Sequence, residues 1–245
     1  MSTRHRSRLL ALLALVLRVP LLLAAAGLLA LGAVVGAERL FLRHGLQLGD
    51  FPFTGPDRAG LRALTLAMVP LPILAGLVLW RARARHGGDW ARALGFVAPR
   101  RPGRLVVLVL LWPPLQIAWT AALALAAGAP LARVWQVPSF ATGTALAAWI
   151  VWLVVLAPVA EEMLFRGDLF ARARSLLPPA ATVALAAVLF ALGHAERGWA
   201  QPVSVLPLGL VLGAVRLWCG SLWASILLHA ASNGAVVAVM LGRAA

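Results

Sequence analysis

The chain lacks, or is short of, several kinds of residue and pattern. It has one cysteine, Cys219, in 245 residues, which excludes an internal disulfide and any CxxC metal site. Cys219 stands beside Gly220 at the edge of an apolar run and is expected to be a small buried apolar residue. No lysine occurs, so all 22 basic residues are arginine, and only 8 residues are acidic. No HExxH occurs, so the helix of the usual zinc proteases is absent. Internal repeats, low-complexity linkers and long polar stretches are missing as well, and no soluble domain of useful size fits between the apolar runs.

What remains is hydrophobic. Apolar residues make up 62% of the chain, against about 45–50% in a soluble domain. The runs fall near 9–36, 62–80, 105–128, 141–174, 180–196, 203–218 and 221–241. This predicts an all-α fold, a polytopic transmembrane bundle of about seven or eight spans, each of ~20 residues. Arg4, Arg6 and Arg8 followed by an apolar run resemble a signal peptide. The run is too long for a signal peptide's apolar segment, so it reads as an uncleaved first span, interrupted at Arg18 and Pro20 and able to form two elements. The fourth run would reach about 50 Å as one helix at ~1.5 Å per residue. It must therefore be tilted, broken at Pro158, or partly in the interface.

The formal net charge is +14. Such a balance suits nucleic acid, but here the arginines sit at span ends and in short loops. Membrane lipids, anionic ones among them, and the positive-inside rule account for them, and no nucleic-acid partner is expected. Arg81, Arg83, Arg85, Arg92, Arg100, Arg101 and Arg104 put their loop in the cytoplasm. The segment 37–61 mixes Arg39, Arg43 and Arg58 with Glu38, Asp50 and Asp57 and belongs outside, while loop 129–140 has only Arg133. Alternation then puts the N-terminus, 175–179 and 219–221 inside, and 197–202 and the C-terminus outside. The expected location is the cell membrane, as a multi-pass protein.

Against this background a few polar residues stand out. Glu161, Glu162, Arg166, His194, His229 and Asn233 all fall within the apolar runs. A charge near the centre of a membrane helix costs at least ~2.5–3.5 kcal/mol, so such groups face each other, pair, or do chemistry. Helix rise gives Glu161 a depth of about 20 Å from Arg174, and His194 about 22 Å from Pro179. His229 and Asn233 lie about 12 and 18 Å from Ser221 on the same basis. Three helices thus bring polar groups to overlapping depths.

Local spacing refines this. Glu162 and Arg166 are i and i+4 and can pair on one face, while Glu161 projects about 100° away. Phe190 can pack beside His194 at the same spacing, and His229 shares a face with Asn233. Gly209 and Gly213 form a small-xxx-small pattern that predicts close helix packing. Asp168, Arg172 and Arg174 read as a solvated cytoplasmic face. A carboxylate near a histidine can take a proton from water, and a His/Asn pair can donate to a tetrahedral oxyanion. Alternatively, Glu161, His194 and His229 supply three zinc ligands with water in the fourth position. A proton-coupled carrier is a further reading, weakened by the lack of an inverted repeat.

These residues resemble the three motifs of the CPBP intramembrane protease family, which includes type II CAAX prenyl endopeptidases and relatives of lysostaphin resistance protein A. EExxxR reads Glu161-Glu162-Met163-Leu164-Phe165-Arg166, FxxxH reads Phe190-Ala191-Leu192-Gly193-His194, and HxxxN reads His229-Ala230-Ala231-Ser232-Asn233. The likeness covers roughly 141–241, which implies a catalytic core there and N-terminal transmembrane helices over 1–140. It implies an intramembrane endopeptidase acting on a protein or peptide at the cytoplasmic side. In the family's terms Glu161 and His194 activate the water, and His229 and Asn233 stabilise the oxyanion. Glu162, Arg166 and Phe190 support them. Both a zinc mechanism and a metal-free glutamate mechanism are compatible with the resemblance. A non-catalytic scaffold or bacteriocin-immunity protein on the same fold is the alternative.

Overall fold

The computed structural model describes residues 3–45, 58–130, 134–139, 141–195 and 198–244. Asp50, Asp57 and Arg133 lie outside them. Every apolar run forms a helix: α1 Thr3–Arg43, α2 Arg58–Met68, α3 Pro70–His86, the short α4 Trp90–Leu94, α5 Pro102–Ala126, α6 Gly143–Ala173, α7 Pro179–Leu192, α8 Ala200–Cys219 and α9 Leu222–Ala244. No strand occurs among the described residues. Six helical stretches are long and apolar enough to cross a membrane. The seventh apolar element, α7, has 14 residues, or ~21 Å at 1.5 Å per residue.

The first run is a single helix, with Pro20 inside it. Arg18, which looked like an interruption, is an inter-helix tie. Its Nε donates to Asp168 Oδ2 at 2.7 Å, and Arg172 Nη2 donates to Asp168 Oδ1 at 2.9 Å. Asp168 is therefore not part of a solvated face: it is 7% exposed. Two guanidinium groups compensate the removal of its carboxylate from water.

The fourth run is likewise one continuous helical rod, α6, and it changes winding instead of breaking. Residues Trp152–Leu156 and Met163–Leu169 are wound as π-helix. Ahead of Pro158, Ala157 N–H donates five residues back, to Trp152 O. In that register the next carbonyl, Leu153 O, would need a donor at position 158, where proline has none. Asn233 Nδ2 supplies it from α9 at 2.8 Å.

Lipid gives helices no hydrophobic reason to associate, so close packing and polar ties must hold them. At Gly209 an added Cβ would lie 3.1 Å from Ala187 Cα, and at Gly213 one would lie 3.0 Å from Val183. This is the close α7–α8 approach that the glycine spacing predicts. The chain reverses after α8 at Gly220, whose φ of +68° suits glycine. Cys219 beside it is buried.

The turns meet as alternation requires. Arg8 Nη2 donates to Leu176 O, joining the start of α1 to the α6–α7 turn. Arg100 N–H donates to Cys219 O, and Leu222 N–H to Gly95 O. Segment 95–100 thus lies against the α8–α9 turn. One apolar core links α1, α3, α6, α7 and the start of α9, and a second links α5, α8 and α9.

Candidate active site

The site starts with a fully buried ion pair. Glu162 and Arg166 are both 0% exposed, and Arg166 Nη1 donates to Glu162 Oε1 at 2.9 Å. Arg166 Nη2 donates to Gly209 O at 2.8 Å. Gly209 thus does two things: the missing side chain lets α7 approach, and its carbonyl anchors the arginine. The guanidinium also lies 4.6 Å from the centroid of Phe190, a cation–π arrangement strengthened by exclusion of water.

His229 completes the group. Its Nδ1 lies 3.0 Å from Glu162 Oε1, and its Nε2 lies 3.8 Å from Glu161 Oε2. A carboxylate only accepts hydrogen bonds, so Nδ1 carries the proton in the first contact. Nε2 is then the nitrogen turned toward Glu161. The second distance is too long for a direct hydrogen bond and is the kind of gap where a water belongs. Glu161 keeps 16% exposure against 0% for Glu162. The two adjacent carboxylates differ as the ~100° helical step predicts: one is locked, the other accessible.

His194 lies just beyond the end of α7, so its backbone N–H bonds to Ala191 O, three residues back. The carbonyl of Phe190 is instead taken by His194 Nδ1 at 2.9 Å. This leaves Nε2 of His194 as its acceptor nitrogen. The Phe190 ring packs against both histidines, 4.7 Å from His194 and 5.6 Å from His229, centroid to centroid. Glu161, Glu162, Arg166, Phe190, His194 and His229 are thus linked around one aromatic ring. Asn233 is one turn beyond His229 on α9, held at Leu153 O.

Two contributors had little signal in the sequence. Arg216 Nε donates to Arg166 O at 3.1 Å, and its guanidinium fills the space over Gly95, where a side chain would collide with it. A lone arginine near a span end gives no hint of this. Gly209 was legible as a packing residue but not as the acceptor of Arg166.

Zinc needs three or more converging donors. Among the described residues no group of three His, Cys, Asp or Glu side chains is arranged to hold a metal ion. Glu161, His194 and His229 as placed do not form such a group, while the Nδ1 contacts of the two histidines leave both Nε2 atoms free. No step below is routed through a metal.

An all-helical polytopic membrane protein with an ionisable cluster between its helices is the class that fold and site define. Residues 142–235 match the family described as Type II CAAX prenyl endopeptidase Rce1-like. This segment, which contains all three motifs, is similar to that family, and the match supports membership of the CPBP family. No curated protein and no solved structure matches the chain.

Proposed function

We propose that the chain hydrolyses a peptide bond in a membrane-associated protein or peptide, using residues 141–241 as the catalytic core and 1–140 as supporting transmembrane helices. The site opens to the cytoplasmic side of the cell membrane, the side that carries the arginine-rich loops. Glu161, with the acceptor nitrogen of His194, draws a proton from water as its oxygen bonds to the scissile carbonyl carbon. The carbonyl oxygen becomes an oxyanion and receives hydrogen bonds from Asn233 and His229. Collapse breaks the C–N bond, and the proton held by Glu161 passes to the departing amine.

The Asn233 amide has a second N–H beyond the one given to Leu153 O. His229 donates to the oxyanion through Nε2 only when both ring nitrogens are protonated, and the two glutamates balance the charge of that form. The observation that carries the reading is the division of labour between neighbouring carboxylates. Glu162 is sealed against Arg166 and His229, while Glu161 remains accessible beside His229 Nε2.

The test is cleavage of a quenched peptide panel by purified protein in detergent. Wild type is compared with Glu161→Gln and His194→Ala, with and without chelator and added zinc. Cleavage by wild type and a loss of at least about 100-fold in each variant, within the range for removal of an acid–base group, is the expected result. Undiminished cleavage by both folded variants overturns the proposal.

A further inference from the structure

Away from the active site, the last turns of α3 form an open cleft of about 370 Å³ lined by Trp80, Arg81, Ala84 and Arg85. None of Glu161, Glu162, His194 or His229 lines it. The inward side of α3 is Leu74, Val78 and Ala82; Arg81 and Arg85 continue that stripe to the helix end at i+7 from Leu74 and Val78, and Trp80 stands off it.

We propose that this cleft binds the phosphate of an anionic phospholipid headgroup. Three observations lead there. Arg81 and Arg85 are one turn apart on α3 and both line the cleft. Arg81 Nε is buried with no hydrogen-bond partner, and no ion pair joins Arg81 or Arg85 to any described residue. The rest of the Arg81 fork is therefore offered to the cleft with no carboxylate to take it, and phosphate is the acceptor this fork matches bidentately.

Trp80, at the same cleft, is 65% exposed. An exposed indole next to arginines at the end of an apolar helix is the pattern of a headgroup-level anchor. It favours a lipid over a free phosphate, because the indole has the glycerol and upper acyl chain to cover. Arg83, between the two ligands in sequence, is directed elsewhere, 4.9 Å over the ring of Trp90.

The experiment uses the full chain in neutral detergent, titrated with phosphatidylglycerol or phosphatidylcholine. Bound lipid is counted by native mass spectrometry and unfolding temperature is read in parallel. R81Q/R85Q is compared with R101Q/R104Q, which removes the same charge from the arginines over Trp218. Wild type is expected to retain phosphatidylglycerol and be stabilised by it more than by phosphatidylcholine. R81Q/R85Q should bind about 25-fold more weakly, from ~1 kcal/mol or fivefold per arginine, while R101Q/R104Q changes little. R81K/R85K keeps both charges but loses the bidentate fork, so it should bind more weakly than wild type and more tightly than R81Q/R85Q; it serves if the glutamine pair does not fold, and binding equal to wild type would overturn the fork. Equal loss in both glutamine pairs would make the attraction diffuse charge and overturn the site. Saturation of the stabilisation by inorganic phosphate alone would overturn the lipid assignment, as would equal retention of phosphatidylcholine.

Discussion

Asn233 Nδ2 donates to the carbonyl of Leu153 at 2.8 Å, and that carbonyl is the one Pro158 leaves without a backbone donor. The last residue of the HxxxN motif therefore has a structural duty on α6 besides any role at an oxyanion. Two side chains that are 75 residues apart in sequence become a matched pair only because α6 winds as a π-helix ahead of the proline.

The two duties can be separated. Asn233→Ala should lower stability by about 1–3 kcal/mol, the cost of an unsatisfied buried carbonyl, and should also abolish cleavage. In a Pro158→Ala background the new N–H at 158 can serve Leu153 O, so adding Asn233→Ala should cost less stability. If the amide also serves the oxyanion, activity stays lost in the double variant. Thermal unfolding in detergent and peptide cleavage on the four proteins of the cycle measure both terms. Full additivity of the stability changes would refute the pairing.

Glu162→Gln removes the charge that balances Arg166 while changing shape little. Breaking a buried pair from one side leaves the other charge uncompensated, at roughly 3–5 kcal/mol. The expected result is a large fall in unfolding temperature together with lost activity, unlike Glu161→Gln, which should unfold near the wild-type temperature. A Glu162→Gln protein as stable as wild type would show that Arg166 does not need this partner.

Asp168 holds both Arg18 and Arg172, so its removal should matter more than removal of either arginine alone. Asp168→Ala is expected to destabilise by more than Arg18→Ala, with Arg18→Ala in the range of about 1.5–3 kcal/mol for a charge-assisted hydrogen bond. Hydrogen exchange across the first half of α1 is the readout, because Arg18 is its tie to α6. Equal protection in wild type and both variants would mean that α1 is held without this tie, by its apolar packing and the Arg8 contact to Leu176 O.

Gly209→Ala should overpack the α7–α8 contact, where the new Cβ meets Ala187 backbone at 3.1 Å. Overpacking costs typically 1–3 kcal/mol, and here the displaced carbonyl also carries Arg166. Cleavage should fall along with stability. A neutral Gly209→Ala would mean that α8 can shift without disturbing the arginine.

The helices were legible because an apolar run of about 20 residues crosses lipid as an α-helix, which satisfies most of its backbone N–H and C=O groups within the segment. Long apolar runs therefore name themselves, and so do the few charged residues that interrupt them. Glu162 with Arg166, and Phe190 with His194, were legible as i,i+4 pairs because a single helix fixes their separation. Asp168 was misread for a related reason. Its partner Arg18 lies on another helix, 150 positions away, and no local spacing reports such a contact.

The sequence by itself determined the class of protein, the order of its helices and which polar residues had to be accounted for, since hydropathy and 3.6-residue periodicity act locally. The tertiary structure decided which carboxylate is sealed and which is open, which nitrogen of each histidine remains free, and which carbonyl Asn233 completes. These depend on the rotation and winding of one helix against another. In lipid, close packing at residues such as Gly209 and polar ties such as Arg18 to Asp168 set that relation, and no single segment of the chain contains it.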